Sequence, residues 1–109
     1  MEFEQSDAGL YKVLVVRDKV DQYNILEFKN ILYERTSGVN THVAIELRAN
    51  VAEVPSIVIG ALISGQKKMS GARGVFVLIN PSEQIKILFS RAGLQDFFTI
   101  VDNVNQLNR

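Results

Sequence analysis

GVFVLINPSE, residues 74–83, sets the architecture. Its first six residues hold no charge and no side-chain hydrogen-bonding group, and β-branched and aromatic side chains dominate. A strand covered on both faces reads this way. Asn80, Pro81 and Glu83 follow with no loop between. Asn80 as cap, Pro81 at the first helical position and an acid three residues past the cap come close to a capping box. A buried strand that runs straight into a helix is the unit of parallel α/β sheets.

The pattern continues in both directions. Downstream, Ile85, Leu88 and Phe89 form the apolar stripe of the helix, and Gly93 stops it. FFTIV, residues 97–101, reads as a last strand, and DNVNQLNR as one short terminal turn. Upstream, PSIVIGALISGQKKMSG, residues 55–71, reads as a helix with Pro55 at its first position and its stop near Ser70-Gly71. HVAIEL, residues 42–47, is a strand. Asp21 is an N-cap candidate, with Asn24 three residues on, for a helix whose Ile25, Phe28 and Leu32 share one face. Ser37-Gly38 ends that helix. FEQ and residues 10–16 read as strands around the turn SDAG.

The order is ββαβαβαβ. It predicts an α/β fold in one domain over residues 1–109. The sheet is mixed and mainly parallel, of about five strands, with helices mostly on one face. The N-terminal strand is expected antiparallel at an edge. Leu14, Val16, Phe28, Leu32, Val43, Ile45, Leu62, Val75, Val77, Leu88 and Phe89 are expected in the core.

Composition excludes several classes. Twelve Lys and Arg balance twelve Asp and Glu, and 47% of the 109 residues are hydrophobic. Such a chain has material for a core and no basic stripe for nucleic acid. Lys67-Lys68 reads as the solvated end of a helix. There is no cysteine, and the single His42 makes no metal-ligand spacing. The acidic start MEFEQSDAGL is no signal peptide, and the longest apolar run, residues 57–63, is too short to span a bilayer. The expectation is a soluble cytoplasmic protein without membrane insertion, metal or cofactor.

Catalytic patterns fail as well. GARG lacks the offsets of a phosphate loop, and no Gly-x-Ser-x-Gly elbow occurs. His42 is structural or at the surface, since no spacing pairs it with Ser56. Asp18, Asp21 and Glu27 surround the first helix start, where acids complement the helix dipole.

Ser56 stands out. In its helix Val58, Leu62 and Met69 claim one side, while Ser56, Gly60 and Lys67 follow another line, flanked by Ile59, Ile63 and Ser64. A serine in the first turn lies near free backbone N–H groups, where a phosphate meets the positive end of the helix dipole. Phosphorylation adds about −1.5 to −2 charges there. The plainer reading is a good first-turn residue. Glu53 is the nearest acid upstream.

VDQYN (20–24), HVAIEL, PSIVIGALISGQKKM (55–69) and NPSEQIKILFSRAGLQDFFTI (80–100) together resemble the STAS domain. That fold is shared by bacterial anti-sigma-factor antagonists and the tails of sulphate transporters. The likeness runs from about residue 10 to residue 103. VDQYN is similar to the Leu-Asp-His-x-Asn-like segment before the first helix. The segment from Pro55 is similar to the helix that begins Asp-Ser-Ser-Gly-Leu in phosphorylated members. The family's regulatory serine falls on Ser56. Its neighbours differ: Pro55 stands for the Asp, Ile57 for the second Ser and Val58 for the Gly.

The resemblance implies binding rather than catalysis. The protein is expected to be no enzyme but a regulatory module, an anti-sigma-factor antagonist in a partner-switching circuit. Its partner would be an anti-sigma factor that is a serine kinase, bound through Asp21, Asn24, Ser56, Ile57, Ile59, Gly60 and Ile63. At least one of the three isoleucines is expected to be exposed. Pro55 and Ile57 favour an alternative, a non-phosphorylated STAS subunit docked on a transporter or other large complex. A small nucleotide-binding α/β domain is the reading from another class.

Overall fold

The computed structural model describes residues 1–38, 41–50, 54–94 and 96–107. Along these residues run β1 (Phe3–Ala8), β2 (Tyr11–Val16), α1 (Ile25–Arg35), β3 (His42–Leu47), α2 (Ser56–Gly71), β4 (Val75–Ile79), α3 (Glu83–Arg91) and β5 (Thr99–Val101). A 3-10 turn follows at Val104–Gln106. The strands form one sheet in the order β1-β2-β3-β4-β5.

Connection length decides strand direction. Ala8 pairs with Tyr11 across two residues, so β1 and β2 are antiparallel. Gly9, at φ 62°, supplies the left-handed conformation that so short a loop needs. The turn lies later than SDAG suggests, because Ser6 and Asp7 remain paired in β1. The other three pairings are parallel, each with a helix in the connection.

Alternation along the strands divides the interior in two. Leu14, Val16, Val43, Ile45, Phe76 and Leu78 point to the face that packs against Phe28 and Leu32 of α1, Val58, Leu62 and Met69 of α2, and Ile85 and Phe89 of α3. Val13, Val15, Ala44, Val77 and Ile79 form a second cluster closed by Leu107. All three helices thus contribute to one face, and the C-terminal turn covers the other. Phe98 joins the larger cluster, stacked on Phe89 at 4.5 Å.

Two expected core residues are only half-buried. Val75 opens β4 at the sheet margin, and Leu88 packs on the rim of the main cluster. The helix starts also shift. Pro55, at ψ 145°, is still extended, so Ser56 is the first helical residue rather than the second. α3 begins two residues later than expected. Its cap is Ser82, whose hydroxyl accepts from the Ile85 N–H, and Asn80 sits at φ 46° where β4 turns away. Phe97 and Phe98 precede β5 rather than forming part of it.

The helices α2 and α3 end in the same way. After α3 the Leu94 N–H donates to the Phe89 carbonyl and the Gly93 N–H to that of Ser90, with Gly93 left-handed. After α2 the Gly74 N–H donates to Met69 and the Arg73 N–H to Ser70. There the left-handed position, φ 59°, falls on Arg73. Glycine is used one residue later, because a Cβ at Gly74 would lie 2.4 Å from the Thr41 carbonyl oxygen.

Candidate functional site

In a parallel pair the two C-terminal strand ends lie side by side. Val16 and Leu47 are such neighbours, and the Arg48 N–H extends the ladder to the Val16 carbonyl at 3.1 Å. From here one loop leads to α1 and another to α2. Asp21 and Asn24 lie on the first, and Ser56 stands at the end of the second.

The first loop is held by its own side chains. The Asp21 carboxylate accepts from the Tyr23 N–H at 2.9 Å and the Asn24 N–H at 3.3 Å. The Asn24 carbonyl oxygen accepts in return from the Asp21 N–H at 2.9 Å, and its amide donates to the Lys19 carbonyl. This is the reciprocity of a capping box, closed around a turn just ahead of α1. Asp21 therefore caps that turn, and Asn24 is the residue that flanks the helix. Glu27 pairs with the Met1 ammonium group.

The second loop is tied to the first by Asn50, which is fully buried. Its side-chain oxygen accepts from the Val20 N–H at 3.0 Å, and its amide donates to the Val20 carbonyl at 2.9 Å. Two buried backbone groups are satisfied at once. Sequence reasoning missed Asn50, because nothing in RANVAE distinguishes it from a loop asparagine. Glu53 lies outside the described residues.

Among the described residues no side chain caps the start of α2, and its first turn holds no acid. The Pro55 carbonyl accepts from the Val58 and Ile59 N–H groups, at the first turn of the helix. Ser56 is exposed, and so are Gly60 and, at 39%, Ile57. Val58, Leu62 and Met69 are fully buried on the opposite side. Ile59 and Ile63 are half-buried and pack on the main core. Of the residues expected to bind a partner, Ser56, Ile57 and Gly60 are therefore the exposed ones on α2. Asp21 and Asn24 spend polar atoms on their own loop, and their link toward the second loop runs through Val20 and Asn50.

At the ends of β3 and β4 lies a polar groove of about 420 Å³ lined by Glu46, Leu47, Arg48, Asn80, Pro81, Ser82, Glu83 and Lys86. His42 is remote from Ser56. It starts β3, roughly 17 Å of strand away, and meets Tyr11 edge to face at 5.3 Å. Lys68 is not merely solvated: its ammonium lies 3.4 Å from the Tyr33 ring centroid and donates to the Tyr33 carbonyl and the Ser37 hydroxyl. Among the described residues no three His, Cys, Asp or Glu side chains converge as a metal site, and no helix is long and apolar enough to cross a membrane.

The sheet order, the helix layer and the two loops beside Ser56 define an α/β domain that presents a helix start. The STAS domain model matches residues 4–107, and the chain belongs to the STAS domain family. Its fold is similar to that of a Thermotoga maritima protein provisionally assigned as an anti-sigma factor antagonist. The TM-score is 0.81 at 21% identity, over 95% of this chain and 89% of that one. An anti-sigma-factor antagonist (STAS) domain protein from Planctomyces limnophilus gives 0.76 at 16% identity, over 90% and 87%. The anti-sigma factor antagonist SpoIIAA, in its unphosphorylated form, gives 0.74 at 15% identity, over 99% and 95%. Comparison with curated proteins gives no match.

Proposed function

We propose that this STAS domain is a regulatory protein–protein interaction module of the anti-sigma-factor antagonist kind. It binds an anti-sigma factor that is a serine kinase, and phosphorylation of Ser56 releases it. The carrying observation is the placement of Ser56: exposed, first in its helix, and opposite a fully buried Val58–Leu62–Met69 face. A partner can reach the hydroxyl without unpacking the domain. The fold likeness to SpoIIAA supports the reading.

Charge supplies the switch. The unmodified patch is Ser56, Ile57 and Gly60, neutral and partly apolar, suited to a desolvated contact. A phosphate there brings about −1.5 to −2 charges. The helix start stabilises it in the free protein. In a complex with no basic group opposite it, burial costs several kcal/mol, and each ~1.4 kcal/mol is about tenfold in affinity.

The test is incubation with the serine kinases of the source and ATP, phosphate mapping by mass spectrometry, and partner binding by the wild type, Ser56→Ala and Ser56→Asp. The expected result is phosphate on Ser56, time-dependent release of the wild type, persistent binding by Ser56→Ala and weakened binding by Ser56→Asp. Equal and lasting binding by wild type and Ser56→Ala would overturn the switch. Pro55 favours a second reading, because it occupies the cap position where phosphorylated relatives are expected to have Asp. In that reading the domain docks, unphosphorylated, on a transporter or other large complex. A membrane transporter rather than a kinase in a pull-down from native extract would decide for it.

A further inference from the structure

Of the four most exposed large apolar side chains among the described residues, two share a stripe on α1, Leu26 (73%) and Tyr33 (67%), and a third, Tyr23 (87%), sits in the turn just ahead of that helix. The fourth, Leu10, is in the β1–β2 loop. Ile25, Phe28, Ile31 and Leu32 point into the core, so the stripe lies on the far side of α1. Asn30, also exposed, completes it. Residues 26, 30 and 33 are spaced four and three apart. That is the spacing of a two-helix seam, with Asn30 at one kind of seam position and Leu26 and Tyr33 at the other.

The flanks carry opposite charges. Exposed Lys29 borders the stripe on one side, and exposed Glu27 and Glu34 border it on the other. In an antiparallel pairing of two copies, Glu34 of one chain would meet Glu27 of the other, which the Met1 ammonium group already pairs, and no Lys29–Glu34 contact forms across the seam. In a parallel pairing, Lys29 of each copy meets Glu34 of its mate, five residues further on. Asn30 then faces Asn30 across the two-fold axis, where a lone polar pair fixes register and direction. One anchor is also set in advance: Lys68 backs the Tyr33 ring at 3.4 Å, which lowers the cost of ordering that side chain in a contact.

We propose that the outer face of α1 is the seam of a homodimer, in which two copies pack with their α1 helices parallel about a two-fold axis. The seam is separate from the Ser56 patch and does not depend on the function assigned to it. The two-fold axis runs along the helices, on the side of α1 away from its buried Ile25, Phe28, Ile31 and Leu32.

Analytical ultracentrifugation of the purified chain, from micromolar to near-millimolar concentration, is the test. The wild type is expected to pass from monomer to dimer over that range. Leu26→Asp, at an exposed position, is expected to remain monomeric with an unchanged far-UV spectrum and melting curve. Lys29→Glu sets acid against acid twice in the dimer and should weaken it about fivefold, while Lys29→Glu combined with Glu34→Lys should restore it. A wild type that stays monomeric throughout, or a Leu26→Asp variant that dimerises as well as the wild type, overturns the seam. Lys29→Glu without effect, or the double variant weaker than the single, overturns the parallel arrangement.

Discussion

Asn50 grips Val20 by both of its backbone groups, at 3.0 Å through its carbonyl oxygen and 2.9 Å through its amide. Thirty residues of chain separate the two, and both are fully buried. Asn50→Ala should leave one donor and one acceptor of Val20 without water or protein to satisfy them. Each costs about 1–3 kcal/mol, so a loss of roughly 2–6 kcal/mol is expected in urea titration. Hydrogen exchange should rise in residues 17–24 before it rises in the sheet. A loss below ~0.5 kcal/mol would mean that the two loops stand independently.

Leu62 tests the helix face that leaves Ser56 outside. It is fully buried beneath α2. Leu62→Ala should cost about 2–5 kcal/mol, the range for an incompletely refilled core cavity. Denaturant midpoints at an unchanged slope would show that the loss is one of stability alone.

Arg73 and Gly74 should respond in opposite directions. Arg73 bears left-handed strain at φ 59°, so Arg73→Gly is expected to stabilise by about 0.5–1 kcal/mol, net of the added freedom of the unfolded chain. Gly74→Ala forces a Cβ against the Thr41 carbonyl and should destabilise by about 1–3 kcal/mol. Thermal melts of the two variants, compared with the wild type, check both signs.

Ser82 gives the cap of α3 through its bond to the Ile85 N–H. Ser82→Ala should lose about 1 kcal/mol, and Asn80→Ala should not reproduce that loss through a missing cap bond. Equal losses of cap origin at both positions would move the helix start back to the proline.

The order of elements was legible because the strand runs are dense in branched and aromatic residues and each helix has a stop nearby. Leu14, Val43 and Leu62 could be placed from periodicity alone. The boundaries were harder. Asn80 and Ser82 are both capping residue types, and only the backbone turn after β4 assigns the cap to the second. Pro55 fits either side of a helix start, and its ψ decides the matter. Asn50 was invisible because its partner is a backbone remote in sequence. Lys68 read as solvated because the ring it sits on belongs to α1. At the candidate site, the exposure of Ser56 followed from Val58 and Leu62 claiming the core. The absence, among the described residues, of a cap or acid in the first turn of α2 was visible as Pro55-Ser56-Ile57 only once the start was known.

The edge strand β1 has a consequence for how copies of this protein meet in a crowded solution. Its outer rim has ladder groups that another chain could pair with, a common route to fibres. In the antiparallel alignment that matches all six residues of one β1 with those of a second, Glu4 falls opposite Asp7, twice over. Like charges directly across a ladder repel. At the other rim β5 offers only Thr99–Val101. One rim thus carries an acidic strand, its Glu4 also held by Arg17, and the other a strand of three residues, both poor templates for growing sideways into a ribbon.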